Sequence, residues 1–345
     1  MERVAIIGPG GAGKSTLARA LGGLTGLPVV HLDREHWLPG WVEPPRDEWG
    51  ERVEELAAGE RWIIDGNYGR TMEPRLARAD TVVYLDFARR TCIWRVLKRR
   101  FEYRDRGRSR PDMADGCEET IDWKFLTWLW TYPARRRANT LGLLAEAHRR
   151  GTRVVILRDS AQVDSFLRTT ASGAPLRPVG LDRVNVIGAV GAGKSTLGGA
   201  LGERLGLPVV DVAAVLGSEG HSHAGPNRRR ALLEEAIAEP RWILEGPYWL
   251  SLRMRLEAGQ VAVFLDRSTS LRVRRIAQRR RSGQATDGRT ATIAGLLWAL
   301  VFPFGERRRL VRILTRTAPH QPVFVVRTDA ESAAVLEGLA PANPA

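Results

Sequence analysis

The chain has 345 residues, of which 43% are hydrophobic, and its formal net charge is +14 at pH 7. This length accommodates two domains of ordinary size, and the hydrophobic fraction excludes a disordered chain. The excess of basic residues indicates anionic partners, among them nucleotide phosphates, nucleic acid and acidic membrane surfaces, but charge alone does not choose between these.

No segment of the sequence predicts secretion or membrane insertion. Met1 leads directly into an apolar strand, so we expect no signal peptide. The longest apolar run, residues 293–304, is shorter than the roughly 20 residues that span a bilayer and is predicted to be a buried helix. Cys92 and Cys117 form neither a disulfide framework nor a metal-ligand spacing. A cytoplasmic protein without a membrane partner is therefore expected.

The first motif along the chain is GPGGAGKST at residues 8–16, which fits the phosphate-binding loop G-x-x-x-x-G-K-[S/T]. It lies between an apolar strand at residues 4–7 and a helical pattern at residues 17–24. Its glycines allow backbone N–H groups to form an anion nest, and the next helix points its N-terminus at the phosphates. Lys14 is predicted to reach the β- and γ-phosphates of ATP, and Ser15 to hold Mg²⁺. The predicted nucleotide-binding residues are Gly8, Gly10, Gly11, Ala12, Gly13, Lys14, Ser15 and Thr16.

Short apolar strands alternate with helical patterns through the first half of the chain. The predicted strands are residues 4–7, 28–32, 62–65, 81–85 and 153–157. This alternation is typical of a parallel sheet covered by helices on both faces. In such sheets ligands bind at the carboxyl ends of the strands, so motif residues that are distant in sequence converge there.

Three of these strands are predicted to end at an aspartate. Asp65 is predicted to bind the Mg²⁺ hydration shell beside Ser15, and its alternative is to cap the next turn. Asp33 either holds the phosphoryl acceptor, acts as a base, or caps a helix. Asp86 is predicted to be structural, capping the basic helix that follows.

A basic stretch at residues 89–110 contains ten basic and two acidic residues. Its second part has loop composition and is predicted to be a lid that neutralises the transferring phosphoryl group and excludes water. The alternative is a solvated basic surface, which is the prediction for Arg89 and Arg90. The predicted lid residues are Arg104, Arg106, Arg108 and Arg110.

Aromatic residues follow the second strand. Trp37, Trp41 and Trp49 either form a wall that stacks on a flat acceptor or pack as a small satellite core. Three histidines lack metal-ligand spacing and are predicted to be surface or packing residues: His31, His36 and His148.

Much of this pattern returns 180 residues later. RWIIDGNY at residues 61–68 reappears as RWILEGPY at 241–248, and the loop reappears as GAVGAGKST at 188–196. After the basic helix the offset falls by about ten residues. The predicted fold is α/β, with two tandem P-loop domains at residues 1–168 and 182–345, a linker at 169–181, and a five-stranded parallel sheet in each domain. The second set of predicted nucleotide-binding residues is Gly188, Gly191, Ala192, Gly193, Lys194, Ser195 and Thr196.

GPGGAGKST, HLDREHWLPGW, ERWIIDGNYGR, VVYLD, WRVLKRR and RSRPDMADGC together resemble the adenylate-kinase-like P-loop proteins often called DNA topology modulation proteins. The resemblance covers residues 1–168 and, more weakly, about residues 183–328. It implies a nucleoside-monophosphate-kinase-like fold, ATP and Mg²⁺ binding, and phosphoryl transfer. It also implies that Lys14 is the loop lysine, Asp65 the strand-three acid and Arg70 a phosphate contact. The family name implies an effect on DNA topology, although no DNA-reading motif is evident.

The second copy keeps the phosphate loop but not the acceptor side. Ser195 and Glu245, which replaces Asp65, are its predicted metal ligands, whereas Ala213 replaces Asp33 and the lid is shorter. Nucleotide binding with weak or no transfer is therefore expected, which makes this copy regulatory or structural.

Three functions remain open at this point. The first is a kinase that moves the γ-phosphoryl group of ATP to a small acceptor, for which a nucleoside monophosphate is one candidate. The second is a nucleic-acid-associated ATPase whose arginine-rich helices follow phosphates. The third is an ATP-dependent switch with negligible turnover.

Overall fold

A computed structural model describes residues 1–104, 117, 123–174, 179–215, 226–246, 251–281, 306–317 and 321–341. The chain divides into two compact units, Met1–Leu176 and Arg177–Ala345. Among the described residues, no helix is both long and apolar enough to cross a membrane. Both cysteines are buried free thiols.

The first unit contains a five-stranded sheet in the order β2-β3-β1-β4-β5, and every pairing in it is parallel. The strands are β1 (Arg3–Ile7), β2 (Val29–His31), β3 (Trp62–Asp65), β4 (Thr81–Leu85) and β5 (Arg153–Leu157). The helices are α1 (Lys14–Thr25), α2 (Leu32–His36), α3 (Arg46–Ala58), α4 (Met72–Arg78), α5 (Arg89–Arg104), α6 (Trp123–Arg135), α7 (Arg137–Arg149) and α8 (Ser160–Ala171), with a 3₁₀ turn at Gly69–Thr71.

Four of the five strands of the first unit are buried over most of their length because their centres are apolar runs, whereas β2 is half-buried at all three positions. β3 and β4 are buried at every position, and β1 at all but its first residue. Leu17 and Leu21 of α1 join Val4 and Ile6 of β1 in one core cluster. Since all five strands run the same way, their carboxyl ends lie along one edge of the sheet, where the chain leaves β1 for the phosphate loop.

The second unit repeats this arrangement, with the order β7-β8-β6-β9-β10 and parallel pairing throughout. Its strands are β6 (Arg183–Gly188), β7 (Val209–Asp211), β8 (Trp242–Glu245), β9 (Val261–Leu265) and β10 (Val323–Val326). The described helices are α9 (Lys194–Leu205), α10 (Val212–Val215), α11 (Pro226–Ala238), α12 (Leu252–Ala258), α13 (Thr269–Arg281), α14 (Glu306–Thr317) and α15 (Asp329–Leu339). Two parallel five-stranded sheets covered by helices confirm the predicted fold class.

Some boundaries differ from the sequence prediction. β2 ends at His31, so Asp33 does not end a strand but lies in the short helix α2. Helix α1 begins three residues earlier than predicted, directly after the left-handed Gly13. α8 runs to Ala171, so the first three residues of the predicted linker 169–181 are helical. The apolar run at residues 293–304 lies outside the described residues.

Candidate functional site

The first phosphate loop depends on glycine for both conformation and space. Gly8, Gly11 and Gly13 have positive φ values of 148°, 74° and 95°. A Cβ atom at Gly11 would lie 2.4 Å from the Cys92 carbonyl oxygen, and one at Gly8 would lie 2.8 Å from the Leu85 carbonyl oxygen. The backbone is therefore held in the tight turn that forms an anion nest.

Two cations border this loop. Lys14 Nζ donates to the Pro9 carbonyl oxygen at 3.2 Å, so the ammonium group folds back over its own loop. Arg95 Nη1 donates to the Ala12 carbonyl oxygen at 3.0 Å, and its Nη2 donates to Ser160 Oγ at 2.9 Å. Arg95 was not among the residues predicted for the site. Its recurrence 180 residues later as Arg275 was the available signal.

Asp65 lies beneath the loop and is only 3% exposed. Ser15 Oγ donates to Asp65 Oδ2 at 2.8 Å, so the structure brings these two predicted metal ligands together. His31 Nδ1 contacts Asp65 Oδ1, and the pairing of β2 with β3 places these two residues side by side. The prediction that His31 is a plain surface or packing residue was wrong, because it is the last residue of the neighbouring strand.

A fully buried arginine supports the turn after Asp65. Arg75 donates from Nη1 to the Gly66 carbonyl oxygen at 3.0 Å, from Nη2 to that of Tyr68 at 3.2 Å and from Nε to that of Thr71 at 3.0 Å. Burial lowers the pKa of Arg75 to about 10. Arg75 was not predicted as a site residue, whereas Arg70 was predicted to contact phosphate. Arg70 is exposed and lines the cleft described below.

The side of the cleft near Asp33 is aromatic. Tyr68 donates its hydroxyl proton to Asp33 Oδ1 at 2.9 Å, and burial, reinforced by Asp33, raises the pKa of Tyr68. The Trp49 ring lies 4.5 Å from that of His36 and 5.0 Å from that of Tyr68, between centroids. Trp49 and His36 are buried, which corresponds to the satellite core considered above.

Trp37 and Trp41 are only half-buried, and both line the cleft. Their ring centroids are 5.2 Å apart. Trp41 has a φ of 64°, and it lies in a tight turn closed by hydrogen bonds between Leu38 and Val42. A left-handed conformation is unfavourable for tryptophan, so the surrounding turn must hold it in place.

A cleft of about 2130 Å³ connects these features. The predicted loop residues that line it are Gly10, Gly11, Ala12, Gly13, Lys14, Ser15 and Thr16. The cleft extends on one side to Asp33 and Trp37 and on the other to Arg95 and Ser160. The cleft therefore leaves space for a ligand on both sides of the phosphate loop.

The predicted lid is only partly described. Arg104 is the last residue of α5, whereas Arg106, Arg108 and Arg110 lie outside the described residues. Arg89, predicted to be solvated, is exposed but stacks over the Trp130 ring, with its guanidinium carbon 4.0 Å from the centroid.

Asp86, predicted to be structural by capping the basic helix that follows, pairs with an arginine of α7. Arg137 forms a two-point ion pair with it, with Nε donating to Oδ1 at 2.9 Å and Nη2 to Oδ2 at 2.7 Å. Both side chains are buried. The second unit repeats this pair, since Arg307 donates to Asp266 at 2.7 and 2.6 Å.

The loop of the second unit repeats the first at its two left-handed glycines, but Gly188 lacks the positive φ of Gly8. Gly191 and Gly193 have φ values of 76° and 94°, and Lys194 Nζ donates to the Ala189 carbonyl oxygen at 3.2 Å. Ser195 follows Lys194 in the first turn of α9. A cavity of about 530 Å³ lies beside this loop, and the predicted loop residues that line it are Ala192, Gly193 and Thr196.

Glu245 occupies the position of Asp65, at the end of β8. The pKa of Glu245 is raised, mainly by burial and also by the charge of Asp211. A hydrogen bond with Ser195 and the charge of Lys194 partly offset this rise. Asp211 lies opposite Glu245 in the β7–β8 pairing, where the first unit has a histidine. The second unit thus places two carboxylates where the first has a carboxylate and an imidazole.

Neither the family models nor the curated proteins contain a match to the chain. Solved structures do match it. A shikimate kinase from Bacteroides thetaiotaomicron is 18% identical, with a TM-score of 0.32, over 46% of this chain and 95% of that chain. A gluconokinase from Sinorhizobium meliloti 1021 is 21% identical, with a TM-score of 0.30, over 46% of this chain and 91% of that chain. At these scores the likeness carries no argument about activity.

Proposed function

We propose that the first unit is a phosphotransferase that moves the γ-phosphoryl group of ATP to a small acceptor with a hydroxyl group. The observation that supports this most is the contact between Ser15 and Asp65 beneath a phosphate loop that opens on the same cleft as Asp33. The loop is suited to a triphosphate, and Asp33 with its Tyr68 partner is suited to orient an acceptor. Phosphoryl transfer depends mainly on such positioning and on cationic stabilisation.

The proposed reaction is an in-line displacement. A hydroxyl oxygen of the acceptor attacks the γ-phosphorus of ATP, and the bond from that phosphorus to the β–γ bridging oxygen breaks. ADP leaves with the bonding electron pair, and the hydroxyl proton passes to the Asp33 carboxylate. Lys14 stabilises the charge on the β- and γ-phosphates, because its ammonium group already lies over the loop.

The donor set beneath the loop fits Mg²⁺. The described residues contain no group of three or more His, Cys, Asp or Glu side chains that could hold a metal by themselves. Mg²⁺ needs no such cage, since it is usually held by one or two carboxylates together with substrate phosphates and water. Ser15 and Asp65 would hold it in the first unit, and Ser195 and Glu245 in the second. When bound, Mg²⁺ neutralises phosphate charge.

The second unit is proposed to bind a nucleoside triphosphate without transferring phosphate, as a regulatory copy that arose by duplication of residues 1–168. Its loop retains Lys194 and both left-handed glycines, which supports binding. Ala213 in α10 provides no carboxylate at the position of Asp33, so an acceptor hydroxyl would lack a base.

The test is phosphoryl transfer from γ-labelled ATP with Mg²⁺ to a panel of nucleoside monophosphates, sugars and hydroxy acids. Lys14→Ala should lower transfer by about 100- to 1000-fold, because it removes one stabilising cation. Lys194→Ala is the matched control, since it makes the same change in the second loop, and it should retain transfer. Wild-type turnover by a folded Lys14→Ala protein would overturn the proposal.

The net charge of +14 supports the alternative of a nucleic-acid-associated ATPase only in general terms. The same assay separates the two activities when DNA replaces the acceptor panel. ATP hydrolysis stimulated by DNA, with a steep loss at higher salt, would favour the alternative and the DNA topology modulation resemblance.

A further inference from the structure

The two units differ on the side of the phosphate loop that faces away from the acceptor. In the first unit Phe87 lines this part of the cleft, and the Arg95 guanidinium stacks on its ring at 4.6 Å. In the second unit the residue at the position of Phe87 is Arg267, and Arg275 occupies the position of Arg95. Arg267 and Arg275 both line the cavity of about 530 Å³ beside the second loop.

Arg267 is buried and incompletely paired. It is 7% exposed, and its Nη2 donates to Ser332 Oγ at 2.7 Å and lies 2.9 Å from Asp329 Oδ1. Within the described part of the chain, its Nε and Nη1 atoms have no hydrogen-bond partner. A buried guanidinium with unsatisfied donors is costly unless a ligand supplies acceptors.

The nearby carboxylate is shared and exposed. Asp329 Oδ1 also accepts from Arg275 Nη2 at 2.6 Å, so one carboxylate serves two guanidinium groups. Its side chain is 66% exposed, which weakens its hold on either group by solvent screening. In the first unit the corresponding contact is between Arg95 and a neutral serine, Ser160.

A nucleotide on this loop would place its base in this cavity. The loop holds the phosphates, and the acceptor side of the first cleft lies toward Asp33. The described cavity beside the second loop is lined by α13 and α15 and by no residue of α10, where Asp33 has its counterpart. Guanine presents two adjacent acceptors, O6 and N7, to which an arginine fork donates; adenine presents N7 beside an amino donor. A phenyl ring such as that of Phe87 offers no donor to either base.

We propose that the second unit prefers a guanine nucleotide over an adenine nucleotide, and that Arg267 is the residue that selects it, whereas the first unit has no such preference. This inference rests on the proposed nucleotide binding by the second loop. It differs from the expectation, drawn from the loop sequence alone, of ATP at both sites.

The test uses the full chain with Lys14→Ala, in which only the second loop is intact, and titrates it with fluorescent GTP and ATP analogues. GTP should bind about 5- to 100-fold more tightly than ATP, the discrimination expected of one two-point arginine contact. Arg267→Phe should remove this preference. Arg267→Lys should reduce it while keeping the charge, because lysine lacks the planar fork. The reciprocal protein, Phe87→Arg with Lys194→Ala, should gain a preference for GTP in the first unit.

Three outcomes overturn the inference in different ways. Equal affinity for ATP and GTP in the Lys14→Ala protein refutes base selection, and a preference unchanged by Arg267→Lys refutes selection by Arg267. Both leave nucleotide binding by the second unit intact. Binding of neither nucleotide to the Lys14→Ala protein, with circular dichroism unchanged, refutes both the inference and the proposed role of the second unit.

Discussion

Beneath the loop, the second unit has a larger acidic residue than the first unit and a smaller residue on the helix beside it. Asp65 becomes Glu245, which is one methylene longer, and Ala18 of α1 becomes Gly198 of α9. A Cβ atom at Gly198 would lie 3.0 Å from Glu245 Oε2, whereas Ala18 is fully buried without conflict. The absence of a Cβ atom at Gly198 therefore leaves room for the longer side chain of Glu245, so that its carboxyl group still reaches Ser195.

This difference in size predicts that Gly198→Ala displaces Glu245. Mg²⁺-dependent nucleotide affinity at the second loop should fall by about tenfold, the lower range for loss of a group that orients a metal ligand. Glu245→Asp in the same protein should restore affinity, because it recreates the pairing of the first unit. Titration in the Lys14→Ala background measures the second loop alone. An equal loss in the single and double variants would contradict this prediction.

A second prediction at this scale concerns His36 and acid stability. Burial lowers the pKa of His36 below 6.5, although Glu43 and Asp33 partly offset this. The unfolded chain therefore takes up a proton at a higher pH than the folded chain does. The resulting contribution to stability is present above pH 6.5 and is lost as the pH falls toward the folded-state pKa.

The measurement is urea unfolding of the wild type and of His36→Phe between pH 7.5 and 5.5. The wild type should lose more unfolding free energy than the variant over this range, by at most about 1.4 kcal/mol per pH unit. Phenylalanine preserves a ring among the aromatic neighbours of His36 and does not titrate. Parallel pH profiles for the two proteins would show that His36 is not the titrating group.

At the scale of elements, the sequence predicted strands better than contacts. β3, β4 and β5 have the predicted ends because each contains an apolar run that a polar residue borders within the strand. The contact of His31 with Asp65 was not predicted, because it depends on which strand lies next to β3. The periodicity of a single strand does not give the order of the strands. The partner of Asp86 was missed for a similar reason, since Arg137 is 51 residues away.

Helix α6 explains one glycine of the first loop. A Cβ atom at Gly10 would lie 3.1 Å from the Leu129 and Phe125 side chains of α6. The corresponding residue of the second loop is Val190. Gly10 is not among the residues with positive φ, so the constraint on it comes from the neighbouring helix and not from the backbone.

Gly10→Val should therefore destabilise the first unit by about 1–3 kcal/mol through overpacking. Leu129→Ala should cost stability alone but relieve part of the penalty of Gly10→Val in the double variant. A double-mutant cycle measured by urea unfolding gives the coupling between the two positions. If the effects of the two substitutions on unfolding free energy are strictly additive, α6 does not constrain the size of residue 10 in solution.

At the scale of the whole molecule, two units with one strand order present two phosphate loops that share their left-handed glycines and the contact of their lysine. Orientation of reactants can supply roughly 7–11 kcal/mol of barrier reduction, so loss of the acceptor side removes chemistry more readily than binding. One chain should accordingly bind two nucleotides and contain one active centre.

Calorimetric titration with non-hydrolysable ATP and GTP analogues together should give two sites per chain. Lys14→Ala and Lys194→Ala should each leave one site, and only Lys14→Ala should lower transfer by about 100- to 1000-fold. Loss of half or more of the transfer activity in Lys194→Ala would show that the second unit is catalytic or tightly coupled to the first.

The ion pair of Asp86, which is buried, and that of Asp266, whose arginine partner is exposed, have a consequence for how chain length can vary. Each joins the residue that follows the fourth strand of its unit, β4 or β9, to an arginine in a later helix, 51 residues along the chain in the first unit and 41 in the second. Loop-closure entropy grows only with the logarithm of length, so this ten-residue difference changes the closure free energy by about 0.2 kcal/mol. The segment between the two partners of each ion pair can therefore change in length at almost constant stability. Its length can then vary with the substrate without a large effect on folding.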